Sequence, residues 1–233
     1  MSAEGLRLEG LVSTLGTFRL RVDARVAPGA RVAVLGASGS GKSTLLAVIA
    51  GFLRPEAGRI LWNGTDVTLR PPAERPVSIL FQDGNLFPHL SLAQNVGLAL
   101  RTDLRLSGAE RDRVEATLAR VGLGGAGARR PGDLSGGQQG RAALARMLLR
   151  DKPLALLDEP FAALDPRLRR EMTDLLAELA EERGLTCLVA THDLRDAERL
   201  CDRVWLLEEG AAILDVPVAG LRTDPPDALR DWL

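Results

Sequence analysis

The chain has 233 residues, 45% of them hydrophobic, enough to bury a sizeable core as one domain. A formal net charge of −1 gives no support to a nucleic-acid partner or an anionic membrane surface. Two cysteines, Cys187 and Cys201, are too few for a disulfide framework and lack metal-ligand spacing. No apolar run approaches the roughly 18 residues of a membrane span. The N-terminus, where Leu6-Arg7-Leu8-Glu9 alternates like a strand, does not read as a signal peptide, so a soluble, cytoplasmic protein is expected.

Residues 6–12 and 18–26 alternate apolar and polar as strands do, with Pro28-Gly29 marking the turn after them. Arg31–Leu35 is a short buried-strand run leading into a glycine-rich loop, and a helical pattern runs from Ser43 to near Gly51. Ile60–Trp62, the turn Asn63-Gly64 and Thr65–Thr68 read as a hairpin. A proline-rich stretch, 71–76, precedes the apolar strand Val77–Phe81. From about Asp83 to Asp151 strand runs disappear, and helical periodicity covers 91–100, 108–121 and 135–150. Strand character returns at Leu154–Leu157, followed by a helix over 166–183 and a strand at Leu185–Ala190, within which Cys187 is expected to be a buried thiol. Arg203–Leu207 and Ala211–Leu214 form a hairpin across Glu208-Glu209-Gly210, and the stretch after about Gly220 reads as a short tail. Strands alternating with helices predict an α/β sheet.

Three motifs carry chemistry. Gly36-Ala37-Ser38-Gly39-Ser40-Gly41-Lys42-Ser43 fits the phosphate-loop pattern GxxxxGK[ST] between a predicted strand and a predicted helix. Glycines let backbone N–H groups turn toward phosphate oxygens, and the helix N-terminus adds a favourable dipole. Lys42 is expected to reach the β- and γ-phosphates and the Ser43 hydroxyl to ligate Mg²⁺, with Thr44 adding a hydroxyl contact. The alternative is a glycine-rich turn that fits the pattern by chance, and a strand before it with a helix after it counts against that. Second, the apolar strand Leu154–Leu157 ends in Asp158 and Glu159. Asp158, at the carboxyl edge of a sheet, would hold Mg²⁺ through its water shell, and Glu159 would polarise the attacking water as a general base. Alone, the pair would read as a solvated strand end; the phosphate loop upstream changes that.

The third motif, Leu134-Ser135-Gly136-Gly137-Gln138, opens the helix at 135–150 shortly before the acidic strand. Ser135 and the glycine amides make a second anion-binding helix start. One chain cannot easily bring it to its own phosphate loop, so it would serve the γ-phosphate of a partner copy.

In this order and spacing the motifs resemble the ATPase subunits of ABC transporters over essentially the whole chain. The resemblance implies a P-loop NTPase fold of ABC type: a RecA-like α/β core with an antiparallel β subdomain (1–84 and 152–233) and a helical signature subdomain (85–151). It implies ATP and Mg²⁺ as ligands and a head-to-tail dimer sandwiching two ATP molecules. Membrane permease subunits and, indirectly, a periplasmic substrate-binding protein are the implied partners, on the cytoplasmic face of a bacterial inner membrane. It also assigns roles by position: Gln82 as the Q-loop glutamine sensing Mg²⁺ and water, Asp165 in Ala163-Leu164-Asp165 to the loop coupling the two sites, and His192 as the switch histidine at the γ-phosphate. His89 is read as structural or at the transporter contact.

Within that family Pro71–Gln82, Asn85-Leu86-Phe87, His89-Leu90, Gln94–Leu98 and Leu104-Arg105-Leu106 are similar to the ATPases of bacterial thiamine importers. That similarity implies import of thiamine and its phosphate esters. Importers of iron, polyamine or molybdate share parts of the pattern and stay open, as do an exporter subunit and a soluble ABC ATPase without a transport role. Three departures stand out. Leu15-Gly16 occupies the place of the aromatic that stacks adenine in this family, in a chain without tyrosine, while Phe18 falls in the next strand. Gln139-Gly140 follows the signature where Arg-Gln is usual, and Ala162 replaces a loop serine.

Overall fold

The computed structural model describes residues 4–81, 85–162 and 164–232. The antiparallel hairpin β1 (Leu6–Leu15) and β2 (Phe18–Val26) opens the chain, followed by β3 (Arg31–Leu35) and α1 (Lys42–Ala50). The hairpin β4 (Ala57–Trp62) and β5 (Thr65–Asp66) turns at Asn63 and Gly64, whose φ values of 48° and 77° are the left-handed pair a two-residue turn requires. After β6 (Val77–Leu80) come three helices, α2 (Leu92–Gly97), α3 (Gly108–Arg120) and α4 (Gly136–Leu149). Each starts at a serine with a reciprocal capping box: Ser91 with Gln94, Ser107 with Glu110 and Ser135 with Gln138. The chain continues through β7 (Leu154–Asp158), α5 (Pro166–Arg183), β8 (Thr186–Ala190), α6 (Leu194–Leu200), β9 (Arg203–Glu208) and β10 (Ala211–Pro217).

Among the described residues ten strands join one sheet in the order β5-β4-β1-β2-β10-β9-β3-β8-β7-β6. From β9 to β6 the pairs are parallel, and β7 and β8 are apolar almost throughout because both their faces are covered. Successive residues on β3, β7 and β8 alternate between two cores. Val32, Leu156 and Leu188 face the core containing α1, whereas Ala33, Leu157 and Cys187 face the core built with α4, α5 and α6. The helix that follows the phosphate loop and the helix that follows Ser135 therefore lie on opposite faces of the sheet. Among the described residues no helix is long and apolar enough to cross a membrane.

The structure differs from the sequence reading in three places. The helix expected over 91–100 stops at Gly97, with only turns beyond it. A helix, α6, occupies 194–200, where none is expected; Asp193 caps it through the Arg195 N–H. The C-terminal stretch is no loose tail, since Leu221 and Leu229 are fully buried in the main core. Cys187 is buried as expected, which pushes its thiol up to about 12.

Arg75 is the largest buried cation. Its guanidinium donates to the carbonyls of Val48 (2.8 Å), Ile49 (2.7 Å), Thr68 (2.7 Å) and Arg70 (2.9 Å). The first two are carbonyls of the last turn of α1, where helices leave acceptors unpaired and concentrate negative dipole. Gly51, at φ 89°, ends α1 beside it; a Cβ there would come within 2.5 Å of the Arg75 Nε.

Candidate nucleotide site

Between β3 and α1 the chain makes a tight loop over 36–41. Gly39 and Gly41 have φ values of 82° and 104°. Gly36 has no room for a side chain, since a Cβ would lie 2.4 Å from the Leu207 carbonyl oxygen. Lys42, almost fully buried, folds back so that Nζ donates to the carbonyls of Gly36 (2.7 Å) and Ala37 (3.1 Å). Burial lowers its pKa, opposed by the carboxylates of Glu159 and Asp158. Ser40 Oγ is buried without a hydrogen-bond partner. The loop thus closes around a lysine and an unpaired hydroxyl beside the free N–H groups opening α1, a donor-rich cradle suited to phosphate oxygens.

The acidic side comes from the neighbouring strands. Asp158 ends β7 in register with Ala190 at the end of β8, and Asp158 Oδ1 accepts from the Ser43 hydroxyl at 3.0 Å. Glu159 turns out of the strand with φ 47°, its N–H donating to the Ala190 carbonyl at 2.9 Å. Its Oε2 lies 2.8 Å from His192 Nδ1. β3, β8 and β7 are adjacent in the sheet, so the phosphate loop, His192 and the two acids leave the same edge side by side.

A hydroxyl and a carboxylate in contact, Ser43 with Asp158, form the hard oxygen donor pair that Mg²⁺ prefers. Among the described residues there is no cluster of three or more His, Cys, Asp or Glu that would cage a metal by protein alone. Such a set fits an ion completed by water and phosphate oxygens.

These groups border a cleft of about 640 Å³. Ser38, Gly39, Gly41, Lys42, Ser43 and Thr44 form its floor, Glu159, Ala162 and His192 one wall, and Leu15 with Phe18 the far end. Leu15 and Phe18 face each other across the β1–β2 turn. Phe18, which sequence reasoning assigned only to a strand, has its ring tip wedged against Gly41 and Gly210, where added Cβ atoms would lie 2.5 and 3.1 Å away. Behind His192, a network with no motif in the sequence holds the loop. Arg169 pairs with Asp196 at 2.6 and 2.8 Å and with Asp193 at 3.0 Å, and Thr191 Oγ1 bonds Asp196 at 3.1 Å.

Other expected residues are not in the cleft. Ser135, Gly136, Gly137 and Gln138 open α4; the Ser135 hydroxyl caps the helix through the Gln138 N–H. Gly137 is packed against Leu168 of α5, while Gly136 faces open space. Asp165 caps α5 through the N–H groups of Arg167 and Leu168, both at 3.0 Å. Gln82 and Ala163 lie outside the described residues.

Residues 20–162 match the family model described as ABC transporter, and the chain belongs to that family. Among curated relatives it is 58% identical over 228 residues to the thiamine import ATP-binding protein ThiQ of Jannaschia sp. (strain CCS1), covering 98% of this chain and all of the relative. The protein of the same name from Yersinia pseudotuberculosis is 49% identical over 93% of this chain and 92% of its own length. Among solved structures, cbiO1 from Clostridium perfringens, part of the ABC transporter complex cbiONQ, superposes with a TM-score of 0.85 at 30% identity, covering 99% of this chain and 94% of that one. A dimeric post-hydrolysis state of the ATP-binding cassette MJ0796, bound to ADP and Pi, superposes with a TM-score of 0.81 at 30% identity over 92% and 99%.

Proposed function

We propose that the protein is the ATP-hydrolysing subunit of an ABC importer whose cargo is thiamine and its phosphate esters. The observation that carries the ATPase reading is the convergence of Lys42, Ser43, Glu159 and His192 on one cleft, with Asp158 hydrogen-bonded to Ser43. The cargo rests on near full-length identity to the thiamine import proteins, because the motor itself never touches the solute.

In this reading the amides of 36–44 and the Lys42 ammonium bind the β- and γ-phosphates, Lys42 exchanging its two carbonyl acceptors for phosphate oxygens. Ser43 and Asp158, hydrogen-bonded to each other, would hold Mg²⁺ together with Gln82, and the ion would supply neutralisation of charge on the phosphate oxygens. Glu159 accepts a hydrogen bond from water in line with the γ-phosphorus and draws off its proton. His192 orients Glu159 through their 2.8 Å contact and is itself exposed enough to meet the γ-phosphate.

Ser135–Gln138 lie apart from the chain's own cleft, with α4 and α1 on opposite faces of the sheet, which favours completion of each site by a second copy. The dimeric ADP- and Pi-bound relative supports the same arrangement. Asp165, at the start of α5, links the two sites. The permease surface lies on the rings that follow α1 and β6, exposed Phe52 against half-buried Phe81 (centroids 5.7 Å apart) and exposed Phe87 edge-on to His89 (6.0 Å). Attachment to the permease, on the cytoplasmic side, accounts for work at a membrane by a protein with no spanning helix among its described residues.

The test is thiamine uptake in cells deleted for this gene, with ATPase activity of the protein reconstituted with its permease. Uptake is expected to fail and to return with the wild-type gene. Normal thiamine uptake alongside loss of another solute would overturn the cargo, and a reconstituted complex without ATPase activity would overturn the motor.

A further inference from the structure

At the amino ends of β6 and β7, the edge of the sheet opposite the nucleotide cleft, lies a second cavity of about 200 Å³. Its inner wall is apolar: Met147 and Leu148 from the last turn of α4, Ala155 from β7 and Leu185 ahead of β8, all buried. One polar atom interrupts that wall. Ser78, the second residue of β6 and 3% exposed, lines the cavity, and its Oγ has no hydrogen-bond partner. Ser78 is in register with Ala155, on the face of the sheet that carries α4, so the hydroxyl is enclosed with the apolar groups. A buried hydroxyl left unpaired is costly, and a partner that enters the cavity relieves the cost.

The rim is charged but balanced. Arg183, the last residue of α5, donates to the Leu148 carbonyl at 2.9 Å and faces Asp151 at 3.8 Å. Lys152 lines the rim beside the C-terminal ends of α4 and α5, where a cation offsets the negative ends of two helix dipoles. No net charge is left waiting for a counter-ion, which argues against a carboxylate or an ammonium ligand. The volume sets the size, since an apolar cavity of about 150 Å³ already admits benzene. We propose that this cavity is a second ligand site for an uncharged, ring-sized molecule, apolar apart from one hydroxyl: a small phenol or alcohol. The ring lies among Met147, Leu148, Ala155 and Leu185, and the hydroxyl pairs with Ser78 Oγ. The site goes beyond the ATPase reading and does not depend on it. Its position gives it reach, because α4 begins at Ser135, β6 leads to Gln82 and β7 ends at Asp158.

Phenol is the probe, titrated into the isotope-labelled, nucleotide-free full chain, with toluene and benzoate as comparisons. Phenol is expected to bind with a Kd of about 1 mM and to shift the amide signals of Ser78, Met147, Ala155 and Leu185, leaving those of the phosphate loop in place. Toluene, with a methyl for the hydroxyl, is expected to bind about fivefold more weakly, and benzoate about tenfold more weakly. Ser78→Ala should bring phenol down to the affinity of toluene and leave toluene unchanged. Ser78→Leu should fill the cavity and abolish both; the alanine variant, which only removes an atom, carries the test if leucine prevents folding. No shifts at about 10 mM phenol, or shifts centred on the phosphate loop, overturn the site. Toluene binding as well as phenol, or Ser78→Ala binding phenol like wild type, overturns the pairing with Ser78. Tighter binding of benzoate overturns the uncharged class. A protein that fails to bind ATP would remove the ATPase reading and leave this site standing.

Discussion

Replacing Arg75 with methionine keeps most of the side-chain volume and removes four hydrogen bonds to backbone carbonyls at 2.7 to 2.9 Å. Hydrogen bonds to a charged group contribute about 1.5–3 kcal/mol each, so a plain sum gives about 6–12 kcal/mol. That sum is an upper bound. The Val48 carbonyl also accepts from the Gly51 N–H at 3.1 Å, and water entering beside the thioether can satisfy some of the others. We therefore expect a loss of about 4 kcal/mol, in the range that marks a broken buried network. For a chain of this length that lowers Tm by about 8–16 °C. Thermal melts followed by circular dichroism, with urea titrations for the m-value, measure it. Arg75→Lys is expected to fall between wild type and Arg75→Met, because an ammonium has three donors and no planar fork. Gly51→Ala tests the geometry separately. In wild type it meets both Nε at 2.5 Å and the strain of φ 89°; with methionine at 75 only the strain remains, so the double variant should lose less than the two singles together. A Tm within 2 °C of wild type for Arg75→Met, at unchanged m-value, would refute the clamp.

Glu159→Gln should bind ATP and form an ATP-dependent dimer on a sizing column while steady-state hydrolysis drops at least about 100-fold, the scale of a lost general base; wild-type turnover would remove that assignment. Lys42→Ala should weaken ATP binding strongly in equilibrium titrations, and undiminished affinity would count against the phosphate role. Cys187 and Cys201, both buried with thiols held well above their ordinary range by burial, should resist a thiol reagent at pH 8 and react once urea unfolds the chain. The Arg195 guanidinium, hydrogen-bonded to Asp193, is the main cause that holds that carboxyl down to about 2. Its folded value is below its unfolded one, so its contribution to stability is complete above about pH 4 and fades as pH falls toward 2. Melts at stepped pH should show a shallower acid decline for Asp193→Asn than for wild type.

The parts of the site that were legible in sequence are those built from consecutive residues. The phosphate loop, the acid-ended strand and the capped start of α4 each carry their geometry within a few positions, because backbone turning, strand burial and helix capping are local. What was not legible is assembled across the chain. Phe18 reads as an ordinary strand residue until Gly41 and Gly210 close on it, and Arg169 reads as one more helix charge until Asp193 and Asp196 meet it behind His192. α6 did leave a trace: an aspartate cap with Leu194, Ala197 and Leu200 at spacings of three, too short a run to stand out from the loop around it. Arg75, in a proline-rich stretch, gave no sign that it would be buried, since its partners are carbonyls, which no side-chain pattern records.

Glu159 occupies a left-handed backbone position at the exit of β7. For a side-chain-bearing residue that conformation costs about 1–2 kcal/mol, and glycine adopts it freely. In a library screened for folding alone, position 159 should therefore drift to glycine, and the winning clones should melt higher than their parent. Screened for turnover, the same library should return to the carboxylate. The cost carried at this one turn is what the chain gives up, as a folding unit, to place an acid beside His192.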